Sequence, residues 1–281
     1  MKIRFTKMHG CGNDYIYVDC TAGELPEPER ISAAMSPRHY SVGGDGLVMI
    51  CSSVSADFKM RMFNLDGSEG TMCGNAIRCV GKYVYDNGLT DKTELNIETK
   101  SGIKHLSLSV VDGKVETVTV DMGKASLSPE SLPMKAITPK INAPVTINDG
   151  SYRITAVSMG NPHQVIFCDE PDKLDLERIG PDFENFELFP ERVNTEFVRV
   201  ESRDCIYMRV WERGSGETYA CGTGACAAAV ASVLCGKCDA GRPIRVRLVG
   251  GELTVTVMED RTVLMTGPAV KVYEGVYEYE C

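Results

Sequence analysis

Short apolar or alternating runs occupy most of the chain, separated by glycine, asparagine and proline. Runs of this length, bounded by turn residues, are typical of β-strands. They predict strands over residues 2–7, 15–18, 47–51, 58–63, 95–99, 104–111 and 114–121, and again over 152–158, 164–168, 195–200, 205–210, 244–248, 252–258 and 262–265. A final strand, predicted over residues 269–276, lies beyond the second set and is expected to complete the sheet of the first.

Two longer helices are predicted, and each begins at a Cys-Gly pair. After Cys73-Gly74, apolar residues recur at helical spacing as far as a stop signal at residues 87–88, with Arg78 between them. After Cys221-Gly222, residues 225–234 are apolar on every face, which is typical of a buried helix. Shorter helices are predicted over residues 29–35 and 174–179.

The start of each longer helix favours a bound anion. The first turn leaves backbone N–H groups unpaired and carries partial positive charge, which attracts a carboxylate and stabilises a thiolate relative to a thiol. Glycine after each cysteine lets a ligand approach the backbone closely. The local chemistry therefore suggests a thiolate beside a carboxylate-binding cradle.

The two Cys-Gly pairs belong to an internal repeat. Cys73 and Cys221 are 148 positions apart (221 minus 73), and the same offset aligns Gly12-Asn13 with Gly160-Asn161. Further identities at this offset are Cys20 with Cys168, residues 29–31 with 177–179, and Gly102 with Gly250. These matches predict two copies of one structural unit.

The repeat predicts two domains. The first is residues 1–121 plus 267–281 and carries Cys73; the second is residues 122–266 and carries Cys221. A proline-punctuated stretch, 126–144, is expected to cross between them. Two such domains facing each other across a pseudo-two-fold axis would bring both helix starts toward one cleft, where a single ligand would meet a sulfur on each side.

Composition and charge limit the kinds of partner that the protein is expected to bind. The 281 residues are 43% hydrophobic and 25% charged, which is ordinary for a globular protein of two domains. A net charge of −9 and a pI near 5.1 argue against a nucleic-acid or anionic-membrane surface. The sequence predicts neither a signal peptide nor a membrane span. The twelve cysteines are accordingly expected to be mostly thiols in a reducing cytosol.

Two glycine-containing stretches are predicted to turn near a ligand. Residues 8–14 are expected to form a loop, and a plain hairpin turn is the alternative. Residues 42–46 lack the Lys-Ser/Thr of a phosphate-binding loop and the spacing of a dinucleotide fingerprint, so a tight turn is expected there.

Six motifs together resemble the diaminopimelate epimerase family. They are residues 8–14, 64–68, Cys73-Gly74-Asn75, 159–163, 212–218 and 220–225. The resemblance runs from the N-terminus to residues 266–269, which is nearly the whole chain. Related proline racemases typically carry histidine after the first Cys-Gly, where this chain has Asn75, and phenazine-type isomerases lack the cysteine pair.

The resemblance implies an α+β fold of two pseudo-symmetric domains. Each would be a curled, mostly antiparallel, barrel-like sheet around a central helix, with the active site in the interdomain cleft. The implied activity is epimerisation of LL-2,6-diaminopimelate to the meso form without a cofactor, in lysine and peptidoglycan precursor biosynthesis. Members of the family are similar in acting as cytoplasmic homodimers on a small-molecule substrate.

The resemblance also assigns the site residues. Cys73 and Cys221 would be the acid/base pair, with His163 and Glu212 as aids to the cysteines. The implied substrate contacts are Asn13, Asn64, Gly74, Asn75, Asn161, Asn194, Glu212, Arg213, Gly222 and Thr223. Arginine can hold the distal carboxylate bidentately while glutamate meets an ammonium. For Asn13 and Asn161 a turn role competes, and His163 could be a packed or capping histidine.

Two alternatives come from other functional classes. In the first, Cys73, Cys79, Cys221 and Cys226 would collect zinc in a metal-binding or redox module. In the second, the scaffold binds a ligand without turnover. The Cys235–Cys238 pair has metal-like spacing but no second ligand pair, so it is a weak signal. Neither alternative explains the matching asparagine, glutamate and arginine positions.

Overall fold

The computed structural model describes residues 1–280 and consists mainly of β-strands with a few helices. The strands are β1 (Lys2–Gly10), β2 (Asn13–Cys20), β3 (Gly46–Cys51), β4 (Phe58–Asn64), β5 (Glu69–Gly70), β6 (Glu94–Thr99), β7 (Gly102–Val111), β8 (Lys114–Lys124), β9 (Ala143–Ile147), β10 (Gly150–Ser158), β11 (Pro162–Phe167), β12 (Asn194–Ser202), β13 (Cys205–Glu212), β14 (Gly216–Thr218), β15 (Pro243–Leu248), β16 (Gly251–Val257), β17 (Thr262–Pro268) and β18 (Val270–Glu278). The α-helices are α1 (Pro28–Met35), α2 (Gly74–Asp86), α3 (Leu176–Glu184) and α4 (Gly222–Leu234), with 3-10 turns at Pro129–Ser131 and Pro171–Lys173. Each strand and helix predicted from the sequence is present, although several extend further than predicted. No helix within the described residues is both long enough and apolar enough to cross a membrane.

The chain divides into two compact units. The first contains Met1–Val120 and the described residues from Thr266 onward, and the second is Asp121–Met265. In the first unit β1 pairs antiparallel with β2, β2 runs parallel to β3, and β4 lies antiparallel to β3 and parallel to β6. The last strand, β18, pairs antiparallel with β1 from Lys2 to His9, which confirms that it returns to the sheet of the first unit.

Helix α2 is packed into the first unit. It contacts β1, β2 and β7, and most of its residues are buried. Gly81 permits the close approach, since a Cβ there would lie 3.0 Å from the methyl groups of Leu106 and Leu108 on β7. A second apolar cluster forms under α1 from residues that include Ile16, Ile31, Met35, Leu47 and Met49. The helical periodicity of the sequence places Arg78 outside the apolar face of α2, yet its side chain is fully buried.

The second unit repeats this plan around α4. Helix α4 contacts β10 to β13, β15 and β16, and residues 225–229 are completely buried. Its apolar surface on all sides, predicted from the sequence, follows from this position. A separate cluster lies between α3 and the sheet, where the Trp211 ring packs directly over Gly180 and leaves no room for a Cβ.

Strand pairing confirms the internal repeat. Leu47 pairs with Phe63 in the first unit, and Thr195 pairs with Trp211 in the second, which preserves the offset of 148 in register. Helices α2 and α4 have the same offset at both ends. The predicted match of Gly102 with Gly250 is wrong by one residue.

A single insertion causes this difference. The segment after α4, residues 235–242, is one residue longer than its counterpart after α2, residues 87–93. The hairpin that pairs Thr99 with Gly102 therefore corresponds to the one that pairs Leu248 with Gly251.

The predicted loop over residues 8–14 is a β-hairpin. Strand β1 continues to Gly10 and β2 begins at Asn13, so only Cys11 and Gly12 form the turn, with φ of 53° and 84°. Two consecutive positive φ values are typical of a type I′ turn. Gly10 serves packing rather than the turn, because a Cβ there would lie 2.7 Å from the Arg78 guanidinium.

Two further boundaries differ from the sequence predictions. The stretch 126–144, expected as a crossing, contributes the start of β9 and packs Leu132 and Met134 into the core of the second unit. Helix α3 begins after Asp175, whose side chain accepts from the N–H of Arg178 and caps the helix.

Candidate active site

Both cysteines of the repeat are helix N-caps. Cys73 and Cys221 have extended backbones, with φ and ψ of −131° and 123° and of −112° and 112°. Their carbonyl oxygens accept the first helical hydrogen bonds, from Ile77 at 3.0 Å and Ala225 at 2.9 Å. Each cysteine therefore lies at the start of a helix, as predicted, and the sulfur of Cys221 accepts from the N–H of Gly224.

The same ion pair precedes each cysteine. Arg61 Nε lies 2.9 Å from Glu69 Oε1, and Arg209 Nε lies 2.7 Å from Glu217 Oε1, again 148 positions away. In each unit the pair joins two adjacent strands just before the helix begins. It fixes the segment that leads to the cysteine.

In the first unit, Cys73 faces the amide of Asn13. The thiol donates to Asn13 Oδ1 at 3.3 Å, and Asn75 Nδ2 donates to the same oxygen at 3.2 Å. Asn13 follows directly after the β1–β2 turn, so its hairpin position and its contact with the cysteine coexist. Gly74, between the two helix-start side chains, is the first residue of α2.

Asp45 fixes the orientation of the Asn13 amide. Asn13 Nδ2 donates to Asp45 Oδ2 at 2.7 Å, and Arg38 pairs with the other oxygen of that carboxylate at 2.7 Å. A carboxylate can only accept, so the nitrogen of Asn13 must point at Asp45 and its oxygen at Cys73. Arg38 and Lys7 also pair with Asp14, and both contacts lower the pKa of Asp14 against the effect of its burial.

Arg78 orients Asn75 from inside the core. Its guanidinium donates to Asn75 Oδ1 at 2.9 Å, to Gly74 O at 3.0 Å and to Pro268 O at 3.3 Å. The Asn75 nitrogen is thereby left to point at Asn13. Asn64, also assigned to the site, ends β4 opposite Gly46, and its amide donates to Ser68 Oγ at 3.0 Å.

In the second unit, Cys221 is buried beside two carboxylates. The N–H of Gly224 lies 3.4 Å from its sulfur, and Thr223 Oγ1 lies 3.5 Å away. Burial raises the pKa of the Cys221 thiol well above its usual value and the charges of Glu212 and Glu196 raise it further, although the Thr223 and Gly224 contacts lower it. These effects favour the thiol form of Cys221 over the thiolate.

His163 lies between Glu196 and Asn161. Its Nδ1 is 2.7 Å from Glu196 Oε1, and its Nε2 is 3.0 Å from Asn161 Oδ1. Both His163 and Glu196 are completely buried. Burial raises the pKa of Glu196 and its contact with His163 lowers it. His163 is thus a buried residue that also belongs to a polar network reaching the helix start.

The remaining assigned residues lie around the end of β13. Asn194 donates to Pro162 O at 2.9 Å and accepts from the backbone N–H of Arg213 at 2.8 Å. Glu212 Oε1 accepts from Thr218 Oγ1 at 2.5 Å. The Arg213 guanidinium donates to a backbone carbonyl at 2.9 Å and is partly exposed. Gly222, the first residue of α4, completes the helix start beside Cys221.

The repeat also matches a known family in both halves. The family described as diaminopimelate epimerase matches residues 5–128 and again residues 155–272. The chain belongs to the diaminopimelate epimerase family.

Individual proteins of this family resemble the chain along almost its full length. It is 54% identical over 275 residues to the diaminopimelate epimerase of Acetivibrio thermocellus, covering 97% of this chain and 98% of that one. It is 52% identical over 275 residues to that of Methanococcus maripaludis, covering 97% and 99%.

A solved structure supports the fold. The phenazine biosynthesis protein of Bacillus anthracis superposes with a TM-score of 0.72 at 19% identity, covering 99% of this chain and all of that one. This likeness concerns the fold alone. It confirms the predicted α+β class of curled, mostly antiparallel sheets.

The sequence analysis did not identify three charged residues that hydrogen-bond to the assigned site residues. They are Asp45, Arg78 and Glu196. The repeat held a signal for the last, because Glu196 is a carboxylate at the position where the first unit has the apolar Val48. Asp45 belongs to the glycine cluster of residues 42–46, which was expected to form a tight turn near the ligand, with no role assigned to its carboxylate. Among residues 1–280 no group of three or more His, Cys, Asp and Glu side chains is placed to hold a metal ion.

Proposed function

We propose that this chain interconverts LL- and meso-diaminopimelate by moving the α-proton with Cys73 and Cys221 and without a cofactor, in the supply of lysine and peptidoglycan precursors. The observation that carries the proposal is the pair of cysteines that cap equivalent helices in the two copies of the repeat. The identities of 54% and 52% to relatives named for this activity support the substrate.

Backbone donors at the two helix starts are proposed to stabilise the negative charge that forms when the α-proton leaves. An α-proton between a carboxylate and an ammonium is weakly acidic, and most enzymes that remove one use pyridoxal phosphate. Without it, the enolate-like carboxylate needs preorganised donors. The N–H groups at Gly74, Asn75, Gly222 and Thr223 belong to the first turns of α2 and α4, and we assign them as the donors to this carboxylate. Such donors contribute on the order of 3 kcal/mol each to transition-state stabilisation.

One thiol is proposed to act as the acid and the other as the base. Inversion requires a base on one face of the α-carbon and an acid on the other. Burial and two carboxylate neighbours raise the pKa of Cys221, so its thiol can donate a proton in one direction while Cys73 acts as the base. In the reverse direction the two roles exchange.

The β13 end supplies recognition of the distal amino-acid group. Arg213 can bind a carboxylate with two parallel hydrogen bonds once it releases the carbonyl of Glu191. Glu212, at the adjacent position, can accept from an ammonium. Asn194 holds the backbone of Arg213 and so keeps the two side chains in place. The proposed contacts also include Asn13, Asn64 and Asn161.

Deuterium exchange tests this function directly. Reduced enzyme incubated with LL-diaminopimelate in D2O should remove the α-proton signal from the NMR spectrum and yield deuterated meso product. Activity should survive dialysis against EDTA and treatment with hydroxylamine, which removes pyridoxal phosphate. L-Proline and hydroxyproline serve as controls and should not exchange. Exchange only with these, or no exchange at all, would contradict the proposed substrate.

We also propose a cytoplasmic homodimer, as the family resemblance implies. Strand β18 presents apolar side chains outward, among them Val272 and Val276, which are 54% and 56% exposed. Light scattering after size exclusion should give twice the mass of 30.7 kDa. Val272→Lys should shift the protein toward the monomer, whereas a monomeric wild-type protein would contradict the proposal. Cell fractionation tests the location.

A further inference from the structure

The carboxylate of Glu184, at the end of α3, is buried among three donors. Its Oε1 accepts from the Gly214 N–H at 3.0 Å and from the Arg192 guanidinium at 2.8 Å, and its Oε2 accepts from the Trp211 indole N–H at 2.8 Å. Glu184 is only 6% exposed. Hydrogen bonds to a carboxylate are about twice as strong as neutral ones. One side chain therefore joins the end of α3 firmly to two other segments.

Two of these donors enclose the residues proposed to bind the distal amino-acid group, Glu212 and Arg213, which we call the recognition pair. Trp211 lies directly before the pair in the sequence, and Gly214 lies directly after it. The carboxylate of Glu184 therefore holds residues 211–214 at both ends. A support that is rigid before the ligand arrives lowers the conformational cost of binding. The backbone of the recognition pair is prepared in this way.

The third donor fixes the carbonyl that holds Arg213. The Arg213 guanidinium donates to Glu191 O at 2.9 Å. The next residue, Arg192, has a φ of 63°, in the left-handed region that arginine adopts only rarely. Its side chain donates to Glu184, and the N–H of Val193 donates to Glu184 O at 3.1 Å. Glu184 thereby also anchors the segment whose carbonyl Arg213 must release to bind a carboxylate.

The internal repeat offers a comparison for this support. The offset of 148 aligns Glu184 with Ser36, an uncharged residue that caps the end of α1. It aligns Trp211 with Phe63, whose ring has no N–H. In the first unit the Ser32 hydroxyl contacts the corresponding turn instead, and it donates to the Phe63 carbonyl at 3.2 Å. The carboxylate support is present in the unit that carries the recognition pair and is not repeated at the aligned positions of the other.

We propose that Glu184 is a positioning residue for the distal amino-acid group of the substrate, because it holds the recognition pair in the arrangement that binds a carboxylate and an ammonium. It acts through the backbone of residues 211–214 and through Arg192, so it is not assigned as a catalytic residue. The inference rests on the proposed function, since it adds a role within the same substrate site.

The division of the effect between KM and kcat tests this role. In Glu184→Gln the side chain keeps its size, but its NH2 group cannot accept from the N–H donors that it faces. We expect KM for LL-diaminopimelate, measured by α-proton exchange in D2O, to rise about tenfold with a smaller loss of kcat. A merely structural role would reduce the amount of folded enzyme, which lowers kcat and leaves KM unchanged. That result would overturn the inference.

Asp175→Ala is the matched control, because Asp175 caps the other end of α3. The substitution loosens the same helix but leaves the hydrogen bonds to residues 211–214 in place, so KM should not change. A rise in KM as large as that in Glu184→Gln would attribute the effect to the helix as a whole and would refute a specific role for the carboxylate.

A double-mutant cycle tests whether Glu184 acts through the recognition pair. Glu184→Gln should lower kcat/KM about tenfold in the wild-type background but less than about threefold in Arg213→Met, where slow exchange is followed over long incubations. Equal losses in both backgrounds would contradict the inference. Exchange by the wild type would persist in that case, whereas failure of the proposed function appears as absent exchange in the wild type.

Arg192 provides a second variant in case Glu184→Gln does not fold. Its side chain is 52% exposed, so its replacement leaves the core intact. Arg192→Met should raise KM about threefold, because residues 191–193 lose their bond to the carboxylate. Arg192→Lys, which can keep the ion pair, should restore KM toward the wild-type value. Equal KM values in these two variants would overturn the inference.

Discussion

Cys221→Ala is expected to reduce epimerisation by about 10³-fold or more, and Cys73→Ala to do the same. Each substitution removes one of the two groups that exchange the α-proton, so neither direction can be completed. The measurement is the rate of meso product formation by NMR, with circular dichroism to show that each variant folds.

Cys226→Ala is the matched control for this result. Cys226 lies in α4 one turn beyond the cap and is completely buried, so its loss changes the same helix without removing a capping sulfur. It should retain activity close to that of the wild type. A Cys221→Ala protein that keeps more than about a tenth of the wild-type rate would refute the two-cysteine mechanism.

Arg78→Met is expected to lower the free energy of unfolding by about 3 kcal/mol. The guanidinium is completely buried and donates to two backbone carbonyls and to the Asn75 side chain. Methionine fills much of the volume but leaves these acceptors unpaired. Urea unfolding measures the change.

Arg4→Met provides the comparison, because Arg4 is exposed on β1 of the same unit. Its effect should stay within about 0.5 kcal/mol. If Arg78→Met lowered the free energy of unfolding no more than this control, the hydrogen bonds of the buried guanidinium would not stabilise the first unit. The variant should also lose activity at temperatures where it remains folded, because Asn75 loses the contact that orients it.

The strands and helices were predictable because each depends on residues that are close together in the sequence. Strands and helices follow from runs of neighbouring residues, and both Cys-Gly pairs mark helix starts within their own few positions. The internal repeat added long-range information. Because matching residues, including Cys73 and Cys221, share one constant offset, the two halves were expected to have the same topology. The family motifs then supplied the site residues.

The supporting roles of Asp45 and Arg78 could not be predicted because their partners are distant in sequence. Asn13 meets Asp45 across the pairing of β2 and β3, and Arg78 reaches the carbonyl of Pro268 near the far end of the chain. Helical periodicity placed Arg78 outside the apolar face, where an arginine is ordinarily solvated. The hairpin at Cys11 was obscured for a related reason, since Gly10 is a packing glycine and not a turn glycine.

The pairing of β18 with β1 sets an order for folding on the ribosome. The second unit is a continuous segment, Asp121–Met265, and all of its strands emerge before β18 does. The first unit begins synthesis earlier but keeps an unpaired β1 edge until residues 270–278 are available. Nascent chains should therefore complete the second unit first, and the edge of β1 is the surface that a chaperone would need to shield from intermolecular strand pairing in the interval.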